Sequence, residues 1–228
     1  MFTFGPASRG GISDPFWDNV VLLVQMAGSP GATALTDKSK YAHTITYYTG
    51  AGLSNAQAWS GGAGVSLAMP NRHEVTDNAI FDFGTGALTI EFMGYFPSSG
   101  GGFMFGIPYA SGDIGIGANA SFGDLDFTGP GGSGRSAVAL PRNEWVYVVY
   151  SRTSGDICSI WAKGVQHRSV SGDSIAVNMN STLRIGGVNG STNSTSGYID
   201  QLRITKGVAR YTVASPPPAS LLAAFPAG

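Results

Sequence analysis

One cysteine, Cys158, in 228 residues leaves no partner for an internal disulfide. Its place in the alternating run ICSIWA marks it as a small core residue rather than a reactive thiol. Charge is equally sparse: 13 basic and 14 acidic side chains give a net charge of −1, with no block of either sign. A nucleic-acid partner needs a positive footprint to neutralise phosphates, so none is expected. The longest apolar run, VVLLV at 20–24, is too short to cross a bilayer as a helix. MFTFGPASRGG has no basic start followed by a long apolar stretch, so no secretion signal and no membrane association are expected, and synthesis in a cytoplasm is. Heptads and solenoid repeats are missing too, which removes coiled-coil assembly.

Catalytic residue types are thin. Hydrolysis of sugars on a sheet scaffold needs two placed carboxylates, yet Glu74, Glu91 and Glu144 are each solitary, and a non-enzymatic domain is expected. His43, His73 and His167 sit beside different turns with no zinc spacing. No glycine-rich segment runs into a helix with a phosphate-binding lysine. Asp124 and Asp126 in FGDLDFTG form the best local oxygen pair for a metal, calcium, although no cofactor is otherwise implied.

What is abundant is glycine, 34 residues, with 12 prolines. They punctuate short alternating runs, which reads as an all-β protein with many turns. VVLLV predicts a strand buried on both faces. ALTIEFMGYFP alternates Leu88, Ile90 and Phe92 against Thr89, Glu91 and Met93. EWVYVVYSR and DICSIWAKG predict a hairpin around TSGD, whereas 97–137 reads as irregular, with fragments such as FMFGI and IGIG. In GYIDQLRIT, simple alternation puts Tyr198, Asp200, Leu202 and Ile204 on one face and Ile199, Gln201, Arg203 and Thr205 on the other. Phe2, Phe4 and Phe16 at one end, and Pro216, Pro217 and Phe225 at the other, are apolar groups expected at interfaces, with LLAAFPAG packing either back on the domain or against a neighbour. Trp59, Tyr109, Trp161 and Tyr211 are the aromatics considered for a sugar platform, with core packing favoured for Trp161.

Three islands carry a family resemblance: DPFWDNVVLLVQMAGSPGATALTDKS at 14–39, FDFGTGALTIEFMGYF at 81–96, and EWVYVVYSR at 144–152 joined with GYIDQLRITKGVARY. Together they resemble the concanavalin A-like, laminin-G-type domains of tailed-phage virion proteins. The fold this implies is an antiparallel β-sandwich of jelly-roll type over 14–213, between an N-terminal arm at 1–13 and a proline-rich tail at 214–228. The resemblance gives Asp200, Arg203, Gly207, Arg210 and Tyr211 scaffold roles: Asp200 accepts hydrogen bonds at a strand start, and Lys206-Gly207 turns the chain so that Arg210 and Tyr211 pack back over the sheet. Lys163-Gly164 departs from the family's Asp-Gly turn, and Met93 stands where Trp is frequent. The role implied is a virion structural protein, a capsid decoration or accessory subunit exposed on capsid or tail, made in the host cytoplasm. Its partners would be capsid or tail proteins and copies of itself, up to a trimer. The alternative is a carbohydrate-binding adhesion domain recognising surface glycans.

Overall fold

The structure, a computed structural model, describes residues 14–48, 50, 52–59, 64–66, 72–118, 123–130, 132, 134–170, 175–187, 196–220 and 224–226, with backbone only at 64–66 and 137. Phe2 and Phe4 lie outside the described residues. In chain order the strands are β1 (Val20–Val24), β2 (Ile45–Tyr47), β3 (Leu53–Ser54), β4 (Gly64–Ser66), β5 (His73–Val75), β6 (Asp82–Gly84), β7 (Leu88–Tyr95), β8 (Gly102–Tyr109) and β9 (Gly112–Ala118). They continue with β10 (Asp124–Thr128), β11 (Gly134–Ala139), β12 (Trp145–Arg152), β13 (Cys158–Ala162), β14 (Val165–Val170), β15 (Val177–Asn178), β16 (Leu183–Ile185) and β17 (Tyr198–Lys206). No helix among the described residues is long and apolar enough to cross a membrane.

Two antiparallel sheets face each other. The first runs β14-β13-β12-β7-β17-β4-β3 with β1 also on β17, and the second runs β11-β10-β9-β8-β16-β5-β2. The fold is the all-β jelly-roll sandwich. Ile90 and Phe92 of β7, Val148 and Tyr150 of β12, and Ile204 of β17 meet Phe105, Ile107, Ile116 and Phe127 of the second sheet in one core. Period-2 alternation sends every second residue of β7 and β12 the other way, onto the outer face of the first sheet. That face is itself largely covered: Val20, Leu23, Met93, Tyr147, Val149, Trp161 and Phe225 form a second apolar cluster there.

Simple alternation fails in β17. Gln201 has φ +52 and forms a bulge between Asp200 and Arg203, so Ile199, Leu202 and Ile204 all reach the core while Arg203 and Thr205 point outward. The bulge also marks a change of neighbour. Tyr198 and Ile199 pair with β4, whereas Leu202 to Thr205 pair with β1. Asp200 fills the junction: its carboxylate is wholly buried, and Oδ1 accepts from Met26 N at 3.2 Å and Gln201 N at 2.7 Å. A carboxylate thus supplies acceptors where the ladder has changed strands.

The stretch 97–137, read as irregular, contains β8 and β9, a long hairpin at the centre of the second sheet. Several of its glycines, Gly106, Gly115 and Gly117 among them, lie inside strands rather than at turns. A Cβ on Gly117 would stand 2.0 Å from Gly102 O, so β8 and β9 approach too closely there for any side chain.

Candidate functional site

The outer face of the first sheet is organised in rows, because facing residues stand side by side across strands. One row is polar. Ser169, Ser159, Ser151, Thr89 and Thr205 succeed one another across β14, β13, β12, β7 and β17. Their hydroxyls hold the segment after β17 against the sheet. Gly207, at φ +78, turns the chain. Thr89 Oγ1 then donates to Val208 O and accepts from Arg210 N, each at 2.9 Å, and Ser151 Oγ donates to Tyr211 O at 2.8 Å. The ending Lys-Gly-x-Ala-Arg-Tyr is therefore a closing clasp.

The next row carries charge. Arg203 grips Glu91 with two bonds, Nε to Oε2 at 2.9 Å and Nη2 to Oε1 at 3.0 Å, while its Nη1 donates to Asp14 Oδ2 at 2.8 Å. Arg210 makes a bidentate pair with the same Asp14, at 2.9 and 2.8 Å. Tyr147 OH donates to Glu91 Oε1 and lies 3.1 Å from Tyr211 OH. Burial, reinforced by the Glu91 charge, holds both phenols above their ordinary value, Tyr211 at about 12, so both remain protonated. Phe225 closes the cluster, its ring 3.9 Å from the Arg203 guanidinium. Two carboxylates and two arginines with matched geometry satisfy one another, which is what makes burying them tolerable.

At one end of the face stands an aromatic row. Trp145, Tyr95 and Tyr198 are in register across β12, β7 and β17. The Tyr95 ring meets Trp145 edge-on at 5.8 Å and Tyr198 at 5.9 Å. All three are half-buried, with Ser98, Asn143 and Glu144 exposed beside them. Near the opposite end, between β12–β13 and residues 211–214, lies a cavity of about 250 Å³ against Trp161 and Tyr211.

Of the aromatics considered from sequence, Tyr109 and Trp161 are buried, Trp161 in the outer cluster, and Trp59 and Tyr211 are half-buried against that cluster. The ladder row of Tyr95, Trp145 and Tyr198 was not foreseen, although each residue ends a strand that alternation had located. Pro217 and Phe225 are buried on the chain's own sandwich and Pro216 is exposed. Phe16 is 37% exposed, its ring 5.1 Å from the Arg210 guanidinium. Asp14, which sequence reading passed over, holds both arginines.

Asp124 is buried and accepts from Arg135 Nε at 2.9 Å. Asp126 shares its side of β10, and burial, followed by the Asp124 charge, raises its carboxyl above the ordinary value despite a bond from Phe127 N. Arg135 thus already neutralises this pair through Asp124 Oδ2. Among the described residues no group of three or more His, Cys, Asp or Glu converges to hold a metal.

Two histidines give the fold a pH dependence. Burial holds His73 below its ordinary 6.5 although it bonds Thr33 O, and burial likewise lowers His167 against the pull of Asp124. The unfolded chain therefore takes up these protons first, and stability is lost as pH falls below about 6.5. Melting temperature is expected to drop between pH 7.5 and 5, and His73→Gln to flatten the slope; an unchanged slope in that variant would count against this origin. Asp14 acts lower down. Burial raises it, but the Arg210 bond, the Phe16 amide and both arginine charges leave it below 3.8, so its contribution disappears only under about pH 4.

A family model described as the Concanavalin A-like lectin/glucanases superfamily matches residues 70–210, well over half of the chain. The chain belongs to that superfamily. No curated protein matches this superfamily member in sequence. Solved structures do. The botulinum neurotoxin serotype C1 binding domain aligns at TM-score 0.61 and 16% identity, covering 85% of this chain and 50% of that one. The binding domain of Paraclostridial Mosquitocidal Protein 1 aligns at TM-score 0.62 and 15% identity, covering 85% and 50%. The binding domain of Botulinum Neurotoxin DC in complex with SialylT aligns at TM-score 0.59 and 13% identity, covering 85% and 49%. The chain thus spans about half the length of these relatives, and a ligand named for the whole is not thereby placed in the matching half.

These relatives are toxin binding domains, and they overturn the expectation of a phage virion subunit, with its capsid or tail partners and its exposed position on the particle. The physical reason is plain in the site. The ending motif encodes the clasp and the charge cluster, which any sandwich of this type can use, so it carries fold and not residence. The domain's neighbouring carboxylates Glu91 and Asp14 are buried and held by Arg203 and Arg210, so this pair is not free to act as acid and nucleophile.

Proposed function

We propose that this superfamily member is a carbohydrate-binding domain and that sugars lie on the Trp145, Tyr95 and Tyr198 row. The observation that carries this is the row itself: three half-buried rings aligned across adjacent strands, ending at exposed Ser98, Asn143 and Glu144. Sugar rings have apolar faces that stack on aromatics, and their hydroxyls need polar groups at the rim. One relative with this fold is the binding domain of Botulinum Neurotoxin DC in complex with SialylT, and cell entry of another, botulinum neurotoxin type C, depends on interaction with two ganglioside molecules, which supports a glycan as the ligand class.

A glycan array followed by titration of the strongest hit tests the reading. Trp145→Ala or Tyr95→Ala is expected to weaken binding about tenfold, roughly 1.4 kcal/mol, with unfolding unchanged in cooperativity. Retention of full affinity in the double variant would remove the row as the site. Absence of any glycan hit would remove the function.

A further inference from the structure

We propose that the cavity between β12–β13 and residues 211–214 binds the apolar end of a neutral amphiphile, a ring or a short alkyl chain. Its walls are Trp161, Ile157, Val213, Ala214 and the carbon frames of Tyr211 and Ser159, and no charged side chain lines it. The hydroxyls around it are already engaged. Ser151 Oγ donates to Tyr211 O at 2.8 Å, Ser159 Oγ lies 3.0 Å from Ser169 Oγ, and Tyr211 OH lies 3.1 Å from Tyr147 OH. Thr153 Oγ1 accepts from Ile157 N at 3.1 Å, and Thr212 Oγ1 accepts from Ser215 N at 3.2 Å. A sugar ring or an ion would find few polar groups turned toward it, whereas carbon would find aromatic and aliphatic wall.

The rim points the same way. Ile157 and Val213 are 39% and 59% exposed, unusual for large aliphatic groups, and both line the cavity. Beside Ile157 the turn at Ser154 and Gly155 is exposed, leaving room for a polar head in water. An apolar cavity of about 150 Å³ accommodates the six carbons of benzene, so 250 Å³ suits a substituted ring or a chain of about eight carbons. This site is separate from the aromatic row and does not depend on the glycan reading.

The test is a series of n-alkyl β-glucosides, methyl to decyl, titrated below their micelle-forming concentrations by calorimetry and by NMR of the Trp161 indole and Val213 methyls. Affinity is expected to rise about fourfold per added methylene and to level off near octyl. Ala214→Phe, at an exposed loop position, should abolish the chain-length dependence while leaving melting temperature and binding at the aromatic row intact. Equal binding of methyl and octyl glucosides, lost in Trp145→Ala, would assign all binding to the sugar platform and overturn the proposal. A gradient that survives Ala214→Phe, or no binding by any member, would overturn it as well.

Discussion

Replacing Arg203 by alanine is expected to lower stability by about 3–5 kcal/mol, measured as a shift in the midpoint of urea unfolding. The size follows from burial. Arg203 and Glu91 are 6% and 0% exposed, so removing the guanidinium takes the bidentate partner from a carboxylate held out of water and leaves the 1% exposed Asp14 to Arg210 alone. Arg203→Lys should recover little, since one ammonium cannot reproduce three directed bonds. By contrast, Lys163→Ala breaks a pair 37% and 47% exposed and should cost within about 1 kcal/mol. An apolar double replacement, Arg203→Met with Glu91→Leu, should be less damaging than Arg203→Ala, because the expense lies in the orphaned charge. If Arg203→Ala costs no more than Lys163→Ala, the cluster is not the buried network described.

Phe225→Ala is the second large effect, about 3–5 kcal/mol. Phe225 is 2% exposed, its amide donates to Gln201 Oε1 at 3.0 Å, and its ring covers Arg203 and faces Tyr147. The loss should not add to that of Arg203→Ala, because ring and guanidinium share one contact. Simple additivity in the double variant would show the tail to be an independent appendage. Pairing of the two would make residues 224–226 part of the sandwich, where sequence had separated 214–228 as a tail.

That separation shows where sequence reading ends. Val146, Val148 and Tyr150 alternate with Tyr147 and Val149, so β12 and its hairpin partner were legible from local pattern alone. β8 and β9 were not: Gly106, Gly115 and Gly117 imitate turn punctuation although all three lie inside strands, and at Gly117 the cause is a backbone approach between strands that no single-strand pattern records. The bulge at Gln201 was equally hidden, since a glutamine gives no sign of positive φ, and missing it put Ile199 on the side of Arg203 and Tyr198 on the side of Leu202. Asp14 and Arg203 are 189 positions apart. Their pairing is a property of the closed fold, as is the alignment of Tyr95, Trp145 and Tyr198, three strand ends that become one row only when register is known. The ending motif was read well as architecture and wrongly as biology, because a clasp specifies how a sandwich shuts and not where it is displayed.

The pairing of β1 with β17 has a consequence for the growing chain. Val24 finds its strand partner in Leu202, so the most hydrophobic strand has only an isolated bridge to Asp37 until nearly the whole domain has followed. At about 5–20 residues per second that interval is roughly 10–40 s on the ribosome. VVLLV, uncharged and strand-forming, is then the segment most in need of a chaperone.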